Sequence, residues 1–442
     1  MDFGYGEKKA GNVEAKTQQS IKNVKGLRIH SRNAFGTLLE VDAEKCSIYF
    51  NASTLGKKGL EYYKKGDMIS LARESYNNHF KNIKKGDITL LVNHIMMEKE
   101  SDNYRDFIVE ELRRLGESEN CAVPSGETAI MNTLQGTYLG LTSISIDNRG
   151  SEYDLEGKLL LPHADGVGTK TLVYKIGDYG FVVDALAMNL NDILVAGLSM
   201  PEKVFCCNTL IVGEGYENDI EGIRSELENV CKERNIELTV NNFVLMPNFK
   251  GVELDMVLTA IYDKEKIGKF NVKEGDLVIG VASSGIHSNG LTGARSYAEN
   301  LSETDRNIFY EKLAVPTLIY DGFWDKISNK GITGAVHVTG GAFKKILKVL
   351  PEDLDVFINK SHTLNPQDLF FELKKQATNE RMYSYFNCGI GLVLIADNES
   401  AEKIVAEINN AGYDADVIGL VEQGRHEIHI ESKFDNEEVI LK

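Results

Sequence analysis

The stretch LLLPHADGVGTKTLVYKI, residues 159 to 176, places a glycine loop directly after a strongly apolar run. The loop, Asp165 to Lys170, contains an acid, two glycines, a threonine and a lysine. Glycines let backbone N–H groups approach phosphate oxygens, while Asp165 can hold a divalent metal and Lys170 can neutralise a phosphate. The loop fits neither the Walker A pattern nor GxGxxG, since Thr171 takes the place of the last glycine. A surface turn with solvated charges is the alternative interpretation.

Composition narrows the class of protein. The chain has 442 residues, 42% hydrophobic and 26% charged, which is enough for two to four domains. The six cysteines form no CxxC pair, which argues against a zinc site or disulfides and favours a reducing cytoplasm. The sequence has no signal-peptide pattern and no apolar run near the ~18 residues of a membrane span, so we expect no membrane partner. A net charge of −17 argues against a nucleic-acid partner, although local loops can still bind nucleotides.

The chain divides into an arm and three units. Residues 1–35 are polar and predict an amino-terminal arm. From residue 36 a series of strand and helix patterns occurs twice, and LTSI at 141–144 is matched by LTAI at 258–261, 117 positions later. This spacing predicts an internal repeat of one α+β unit over 36–150 and 151–265, with chance similarity as the alternative. A third unit, 266–442, begins with a strand that leads into a Gly/Ser loop.

Four further loops or patterns carry candidate site residues. Asn189, Asn191 and Asp192 interrupt the apolar helical pattern ALAMNLNDILVAG, which costs desolvation unless they have partners. A metal or nucleotide contact would explain them, and so would buried helix-packing hydrogen bonds. SGETA at 125–129 makes Glu127 a candidate metal ligand, although such a segment is more often a helix start. The loops SSGIHSNG (283–290) and HVTGG (337–341) lie between predicted strands and helices, where a phosphate or sugar can bind.

These motifs, taken in order, resemble the phosphoribosylformylglycinamidine cyclo-ligase family, also called AIR synthase. The resemblance covers roughly 151–442, and AGNVEAK at 10–16 is similar to the amino-terminal segment of that family. The motifs that carry it are DGVGTK, the Asn-Asp pair, SSGIHSNG, AVPTLIYD (314–321), GAVHVTGG, MYSYFNCGIG (382–391) and VIGLV (417–421).

The resemblance implies an α+β, AIR synthase-like two-domain fold. Its amino-terminal domain forms a barrel with a partner's sheet and is followed by a larger α/β carboxy-terminal domain; here the amino-terminal domain is expected to be duplicated. The implied reaction is a step of purine biosynthesis that requires ATP and Mg²⁺. ATP phosphorylates the formamide oxygen of formylglycinamidine ribonucleotide, and ring closure of the imino phosphate yields aminoimidazole ribonucleotide, ADP and phosphate.

The resemblance also implies roles for individual residues. Asp165, Asp192 and Glu127 are the expected metal ligands, and Asp165, Lys170, His287 and Glu127 the expected catalytic residues. The remaining expected ligand-binding residues are Gly166, Gly168, Thr169 and Asn191 on the Mg-ATP side, and Ser284, Gly285, Ser288, Asn289, His337, Thr339, Gly340 and Gly341 on the ribonucleotide side.

Departures from the family pattern predict that the units 36–150 and 151–265 each supply part of one site. The acidic GGETA motif is missing from TVNNFVLMPNF (239–249), and its nearest match is SGETA in the upstream unit, which has TLGKKG (54–59) in place of DGVGTK. Ala342 also replaces the third glycine after HVTGG. We therefore expect 36–150 to act as a built-in partner that brings Glu127 to Asp165 and Asp192, within a monomer or a homodimer. The alternative is that 36–150 is an unrelated insertion.

Two other functions are compatible with the loops. One is another ATP-dependent kinase or synthase of the same superfamily, whose members phosphorylate thiamine monophosphate, selenide or a carbamoyl group. The other is a non-catalytic nucleotide-binding regulator. MYSYFNCGIG and PTLIY favour the cyclo-ligase over the first, and the intact glycine loops argue against the second.

Overall fold

A computed structural model describes residues 19–81, 83, 86–98, 104–131, 133–175 and 177–442; the AGNVEAK segment lies outside these ranges. The strands are β1 (Leu27–Asn33), β2 (Gly36–Val41), β3 (Lys45–Thr54), β4 (Ile88–Met97), β5 (Cys121–Ile130), β6 (Thr137–Asp147), β7 (Tyr153–Asp154), β8 (Lys158–Ala164), β9 (Lys203–Val212), β10 (Glu237–Leu245), β11 (Val252–Asp263), β12 (Leu277–Ala282), β13 (Ile332–His337), β14 (Leu354–Ile358), β15 (Ile390–Ala396), β16 (Ala415–Gln423), β17 (Ile428–Glu431) and β18 (Glu438–Leu441).

The α-helices lie between these strands, and three 3₁₀ helices occur at Gly168–Val173, Lys264–Lys266 and Ala342–Lys348. None of the helices in the described ranges is both long enough and apolar enough to cross a bilayer. The α-helices are α1 (Lys58–Lys65), α2 (Met68–Phe80), α3 (Tyr104–Glu117), α4 (Phe181–Gly197), α5 (Ile220–Glu233), α6 (Leu291–Ala298), α7 (Glu303–Leu313), α8 (Trp324–Ile327), α9 (Asp368–Lys374), α10 (Asn379–Tyr385) and α11 (Ala401–Asn410).

The hairpin β1–β2 corrects the expected arm over residues 1–35. Strand β1 pairs with β2, and β2 joins β8 through the pair Leu39–Leu160, so residues 27–41 extend the sheet of the 151–265 unit. The expected boundary at residue 36 therefore falls inside a hairpin. The segment is polar because β1 is an edge strand, in which exposed Arg28 and His30 flank the more buried Ile29.

The upstream and middle sheets have the same topology. The order β3-β6-β4-β5 in the first corresponds to β8-β11-β9-β10 in the second, with two antiparallel pairings followed by a parallel one. The registers also agree. The pair Ile88–Ile146 corresponds to Lys203–Ile261, each partner lying 115 positions later, and the same holds along both strand pairs. The spacing of 117 taken from LTSI and LTAI is therefore two residues too long. SGETA lies within β5, so the expectation that such a segment starts a helix is wrong here.

The two sheets pack against each other around a local two-fold axis. Their shared core includes Val92 and Ile144 from the upstream sheet and Phe205 and Val257 from the middle sheet. The segments that follow β5 and β10 pair reciprocally, as residues do across a two-fold interface. Leu134 bridges Phe249, which lies 115 positions later, the Gln135 N–H donates to the Asn248 carbonyl at 2.8 Å, and the Lys250 N–H donates to the Thr133 carbonyl at 2.9 Å.

A carboxylate near this axis breaks the symmetry. Asp255 in β11 accepts a hydrogen bond from the Tyr138 hydroxyl at 2.9 Å and lies 3.1 Å from His94 Nδ1, both in the upstream sheet. The residue 115 positions before Asp255 is Gly140, and a Cβ there would lie 1.9 Å from Asp255 Oδ2. An aspartate on one sheet therefore requires a glycine at the related position of the other.

The carboxy-terminal unit contains a seven-stranded sheet of order β13-β15-β12-β16-β14-β17-β18. Its core is continuous with the middle unit, because helix α4 packs on one side against β11 and on the other against β13. Residues Leu190 of α4 and Val336 of β13 belong to this single apolar cluster. Loops from both units consequently meet at α4.

Replacing Gly140 by alanine should destabilise the protein by about 1–3 kcal/mol, since the new methyl group overlaps a buried carboxylate. Urea unfolding of Gly140→Ala, Asp255→Ala and the double variant measures this effect. In the Asp255→Ala background the penalty of Gly140→Ala should shrink, because the clashing atom is gone. If the destabilisation of the double variant equals the sum of the two single effects, overlap with Asp255 is not the reason that residue 140 is glycine.

Candidate functional site

The loop that follows β8 is held in place by helix α4 and strand β11. The Asn189 side-chain amide donates to the Asp165 carbonyl at 2.8 Å, and the His163 ring bonds the Asn189 oxygen at 3.1 Å. On the other side, Glu253 accepts a hydrogen bond from the Val167 N–H at 3.1 Å. The loop that begins at Asp165 is thus fixed by buried polar groups rather than being a free surface turn.

Three carboxylates from three elements influence one another electrostatically beside this loop, although their oxygen atoms do not all lie within 4.8 Å of one another. Burial, together with the negative charges of Glu127 and Asp192, raises the pKa of Asp165 to about 7. Glu127 reaches this region from the upstream sheet, in register with His94 on the neighbouring strand β4. Carboxylate oxygens are preferred ligands of Mg²⁺, and a divalent ion relieves this kind of repulsion. The three side chains are of the type that binds Mg²⁺, but a bound ion would have to draw their oxygen atoms closer together than they lie in this structure.

Asp192 is surrounded by groups that favour its charged form. Its Oδ1 lies 2.7 Å from His337 Nδ1, while its Oδ2 lies 3.7 Å from His163 Nε2 and 4.0 Å from Lys345 Nζ. Burial opposes the charge, but Lys345 and the two histidines hold the pKa of Asp192 well below its usual range. Asp192 is therefore ionised and ready to bind a cation.

Lys170 has a different environment from the one that its motif suggests. Its ammonium is completely buried, pairs with Asp184 at 2.6 Å and donates to the Val315 carbonyl at 2.8 Å. Asp184 also accepts the Thr317 N–H at 2.7 Å and the Tyr174 hydroxyl at 2.6 Å. These contacts attach the segment 315–317 to α4, and they leave the Lys170 ammonium unavailable for the phosphate that we expected it to neutralise.

Asn191 joins two units in a similar way. Its amide nitrogen donates to the Leu318 carbonyl at 2.8 Å, and its oxygen accepts the Tyr320 N–H at 2.9 Å. The same nitrogen lies 3.3 Å from His337 Nε2. These contacts agree with the buried packing alternative for Asn191 rather than with a nucleotide contact.

The loop 283–290 follows β12 and precedes α6, as the sequence predicts. His287 is buried with a φ of 58°, and its Nε2 accepts the Ser284 N–H at 3.3 Å. Its ring packs so closely on β15 that a Cβ on Gly391 would lie 2.5 Å from it. Burial lowers the pKa of His287 well below its usual value, which favours the neutral ring. Its Nδ1 has no hydrogen-bond partner among the described residues, so the catalytic role expected of His287 stays a prediction.

Other side chains of this loop remain suitable for a ligand. Ser288 Oγ lies 3.2 Å from Thr317 Oγ1, which places it beside the segment anchored by Lys170. Asn289 is buried, and among the described residues its Nδ2 has no hydrogen-bond partner. A buried amide donor without a partner is costly unless a ligand or water completes it. Gly285 contributes its carbonyl to Asn387 at 2.9 Å and thereby fixes the turn.

The end of β13 places His337 against Asp192, and Thr339 in the following loop is linked to Asp192 through Lys345, while Gly340 and Gly341 continue the turn. Gly341 has a φ of 88°, and Ala342 after it has a φ of 48°, a region that favours glycine. Ala342 is the departure from the family pattern noted in the sequence. It retains the left-handed backbone of a glycine, so the turn into the 3₁₀ helix is preserved at a cost of about 1 kcal/mol.

Sequence reasoning missed four residues of this site: His94, His163, Glu253 and Lys345. Glu253 is buried, and burial raises its pKa to about 7. Burial opposes a charge on His94, but Asp255 and Glu253 outweigh it and raise the pKa of His94 to about 9. His94 Nε2 and Glu253 Oε2 have no hydrogen-bond partners among the described residues. For Glu253, the sequence did carry a signal: two acids, Glu253 and Asp255, interrupt the apolar strand VELDMVLTAI.

Comparison with known families assigns the class. The model "AIR synthase related protein, N-terminal domain" matches residues 151–261, and "AIR synthase related protein, C-terminal domain" matches residues 273–431. The crystal structure of the hydrogenase maturation protein HypE in complex with ATP has the same fold, with a TM-score of 0.50 and 14% identity over 67% of this chain and 88% of that one. The fold and its loops therefore define an AIR synthase-related protein.

Curated relatives narrow this class to one enzyme family. The phosphoribosylformylglycinamidine cyclo-ligase of Methanococcus vannielii is 35% identical over 292 residues, which cover 63% of this chain and 81% of the relative. That of Lachnoclostridium phytofermentans is 32% identical and covers 61% and 84%. The chain belongs to the phosphoribosylformylglycinamidine cyclo-ligase, or AIR synthase, family of enzymes.

Lys170→Met should destabilise the protein by about 3–5 kcal/mol, because it leaves the buried Asp184 carboxylate without its cation. Urea unfolding measures this loss. Lys175→Met serves as the control: it removes a solvent-exposed pair with Glu311 and should change stability little. Equal, small effects of both variants would mean that the Lys170 ion pair has no structural role.

Proposed function

We propose that this chain catalyses the ATP-dependent ring closure of formylglycinamidine ribonucleotide to aminoimidazole ribonucleotide through an imino phosphate. The position of Asp192 carries the proposal: it lies between His337 and His163, beside the glycine loop that Asn189 fixes at Asp165. The relatives support it, since they are named for this cyclo-ligase and this chain covers four-fifths of their length. Phosphoryl transfer needs positioning and charge neutralisation more than covalent chemistry, which suits the side chains present.

Each loop has a proposed task in this reaction. The three carboxylates would hold Mg²⁺, which neutralises charge on the transferred phosphoryl group. Main-chain N–H groups of Gly168 and Thr169 are available to phosphate oxygens. Among the described residues, the Gly166 N–H already donates to the Asp165 carboxylate at 2.8 Å and the Val167 N–H donates to Glu253. The loops 283–290 and 337–341 would hold the ribonucleotide, whose formamide oxygen attacks the terminal phosphate of ATP.

We further propose that strands β3–β6, within the expected unit 36–150, form a second copy of the ATP-binding domain that replaces a partner subunit. The identical strand order, the matching registers and the reciprocal hydrogen bonds around Leu134 and Phe249 support this duplication. The copies complement each other: the upstream one supplies Glu127, and the middle one supplies Asp165 and Asp192. At the related position of the other copy, Asn242 takes the place of Glu127, so one composite site is expected in each chain.

The direct test is purified protein with ATP, Mg²⁺ and formylglycinamidine ribonucleotide, followed by the diazotisable imidazole product and by ADP release. One ADP should form for each imidazole. ATP consumption with thiamine monophosphate, selenide or a carbamoyl substrate, and none with this ribonucleotide, would assign a different reaction of the superfamily. Nucleotide binding with no turnover would indicate a regulator.

Glu127→Gln should lower turnover as severely as Asp165→Asn, by about 10²–10³-fold, because each leaves one metal ligand uncharged. Steady-state rates measure the effect, and circular dichroism verifies folding. Asn242→Ala is the matched control, at the position related to Glu127, and should retain full activity. A Glu127→Gln enzyme with normal turnover would show that the upstream unit does not complete the site.

Asn289→Ala should weaken binding of the ribonucleotide roughly 10–100-fold, since a buried donor to the ligand is lost. ADP binding should stay within about threefold, since Asn289 lies in the loop assigned to the other ligand. Calorimetry with each ligand separates the two effects, and Asn300→Ala, at an exposed residue just after α6, is the control. Equal losses for both ligands would mean that the two loops are assigned to the wrong substrates.

A further inference from the structure

Lys345 brings a positive charge to the acid cluster from the carboxy-terminal unit. It lies in the 3₁₀ helix Ala342–Lys348, directly after the HVTGG loop. Its ammonium donates to Thr339 Oγ1, lies 3.4 Å from the His337 carbonyl and lies 4.0 Å from Asp192 Oδ2. Its side chain is only 12% exposed, so solvent screens this charge weakly.

The charge of Lys345 acts on the proposed metal ligand Asp192. Its ammonium lies 4.0 Å from Asp192 Oδ2 and bonds the carbonyl of His337, whose ring bonds Asp192 Oδ1. Among the described residues it is the lysine or arginine that forms an ion pair with this cluster. Lys170 cannot form this ion pair, because its ammonium is bonded to Asp184 and to the Val315 carbonyl.

The contacts of Lys345 are of a kind that allow a change of partner. A separation of 4.0 Å from Asp192 Oδ2 is beyond hydrogen-bond distance, and its other partners are a neutral hydroxyl and a carbonyl. Its ammonium also lies 5.4 Å from the centre of the Phe35 ring, in the hairpin β1–β2. A cation–π contact steadies an ammonium without using its hydrogen-bond donors.

We propose that Lys345 is the lysine that neutralises the terminal phosphate of the bound nucleoside triphosphate, in the place that the motif would give to Lys170. Without ligand, Lys345 offsets the negative charge of Asp192. With a divalent cation held by the carboxylates, the Lys345 ammonium would be free to donate to a phosphate oxygen. This inference rests on the proposed function only in requiring that the site binds a metal–triphosphate complex.

The test uses the full chain and measures binding rather than turnover. Calorimetry would compare Mn²⁺ alone, Mg²⁺ with ADP, and Mg²⁺ with a non-hydrolysable ATP analogue, for Lys345→Met and Lys345→Arg. Lys345→Met should lower the affinity for the triphosphate analogue roughly 10–100-fold, because a charge-assisted bond to the terminal phosphate is lost. The affinity for ADP, which lacks that phosphate, should change less than about threefold. Mn²⁺ alone should bind about 3–10-fold more tightly, since a competing cation is gone. Lys345→Arg should retain most of the affinity for the analogue.

Lys344→Met is the matched control, since it removes a neighbouring lysine of the same 3₁₀ helix, and its three affinities should equal those of the wild type. Unchanged binding of the analogue by Lys345→Met would overturn the proposal, as would equal weakening of ADP and the analogue. Wild-type protein that binds the analogue but forms no imidazole product would refute the proposed reaction alone. Wild-type protein that does not bind the analogue would refute the role of Lys345 as well.

Discussion

Helix α4 is buried along almost its whole length, and this burial determines how the middle unit (151–265) and the carboxy-terminal unit (266–442) meet. Every polar side chain on such a helix must find a partner, because an unpaired buried polar group costs about 1–3 kcal/mol. Asp184, Asn189, Asn191 and Asp192 satisfy this requirement with partners outside the helix. Those partners belong to the Asp165 loop, the segment 315–320 and the HVTGG loop, so one helix fixes the positions of all three.

The spacing of these polar residues gives the helix two functional faces. Asp184 and Asn191 are two turns apart on one face, and both bind the segment 315–320. Asn189 and Asp192 are three residues apart on the adjacent face, and they bind the Asp165 loop and His337. The first face joins the units, and the second orients the candidate metal ligands. Structural and catalytic demands are therefore met by different faces of one helix.

The sequence was sufficient to predict most strands and helices and to recognise the family, because apolar periodicity and glycine loops are local features of the chain. It also selected Asp165, in a glycine loop, and Asp192, in an apolar helical pattern, as candidate metal ligands, and that assignment stays a prediction. It could not reveal that Lys170 is buried against Asp184, 14 residues later in the chain, because burial of an ammonium depends on tertiary packing. Lys345 was missed for the same reason: only the folded chain places it beside Asp192. Strand β1 resembles a polar arm in the sequence, because an edge strand needs few apolar residues and so carries little apolar alternation.

The pairing of Gly140 with Asp255 has a consequence for how this chain behaves on dilution. In an assembly of identical subunits, each residue occurs on both sides of the two-fold axis, so an aspartate at this point would face another aspartate. Here the two sides are encoded separately, and each can carry the residue that its partner requires. Because both sheets lie on one polypeptide, their association is intramolecular, with an effective concentration set by the connecting chain. The contact between Tyr138 and Asp255 therefore persists at protein concentrations so low that separate subunits would part.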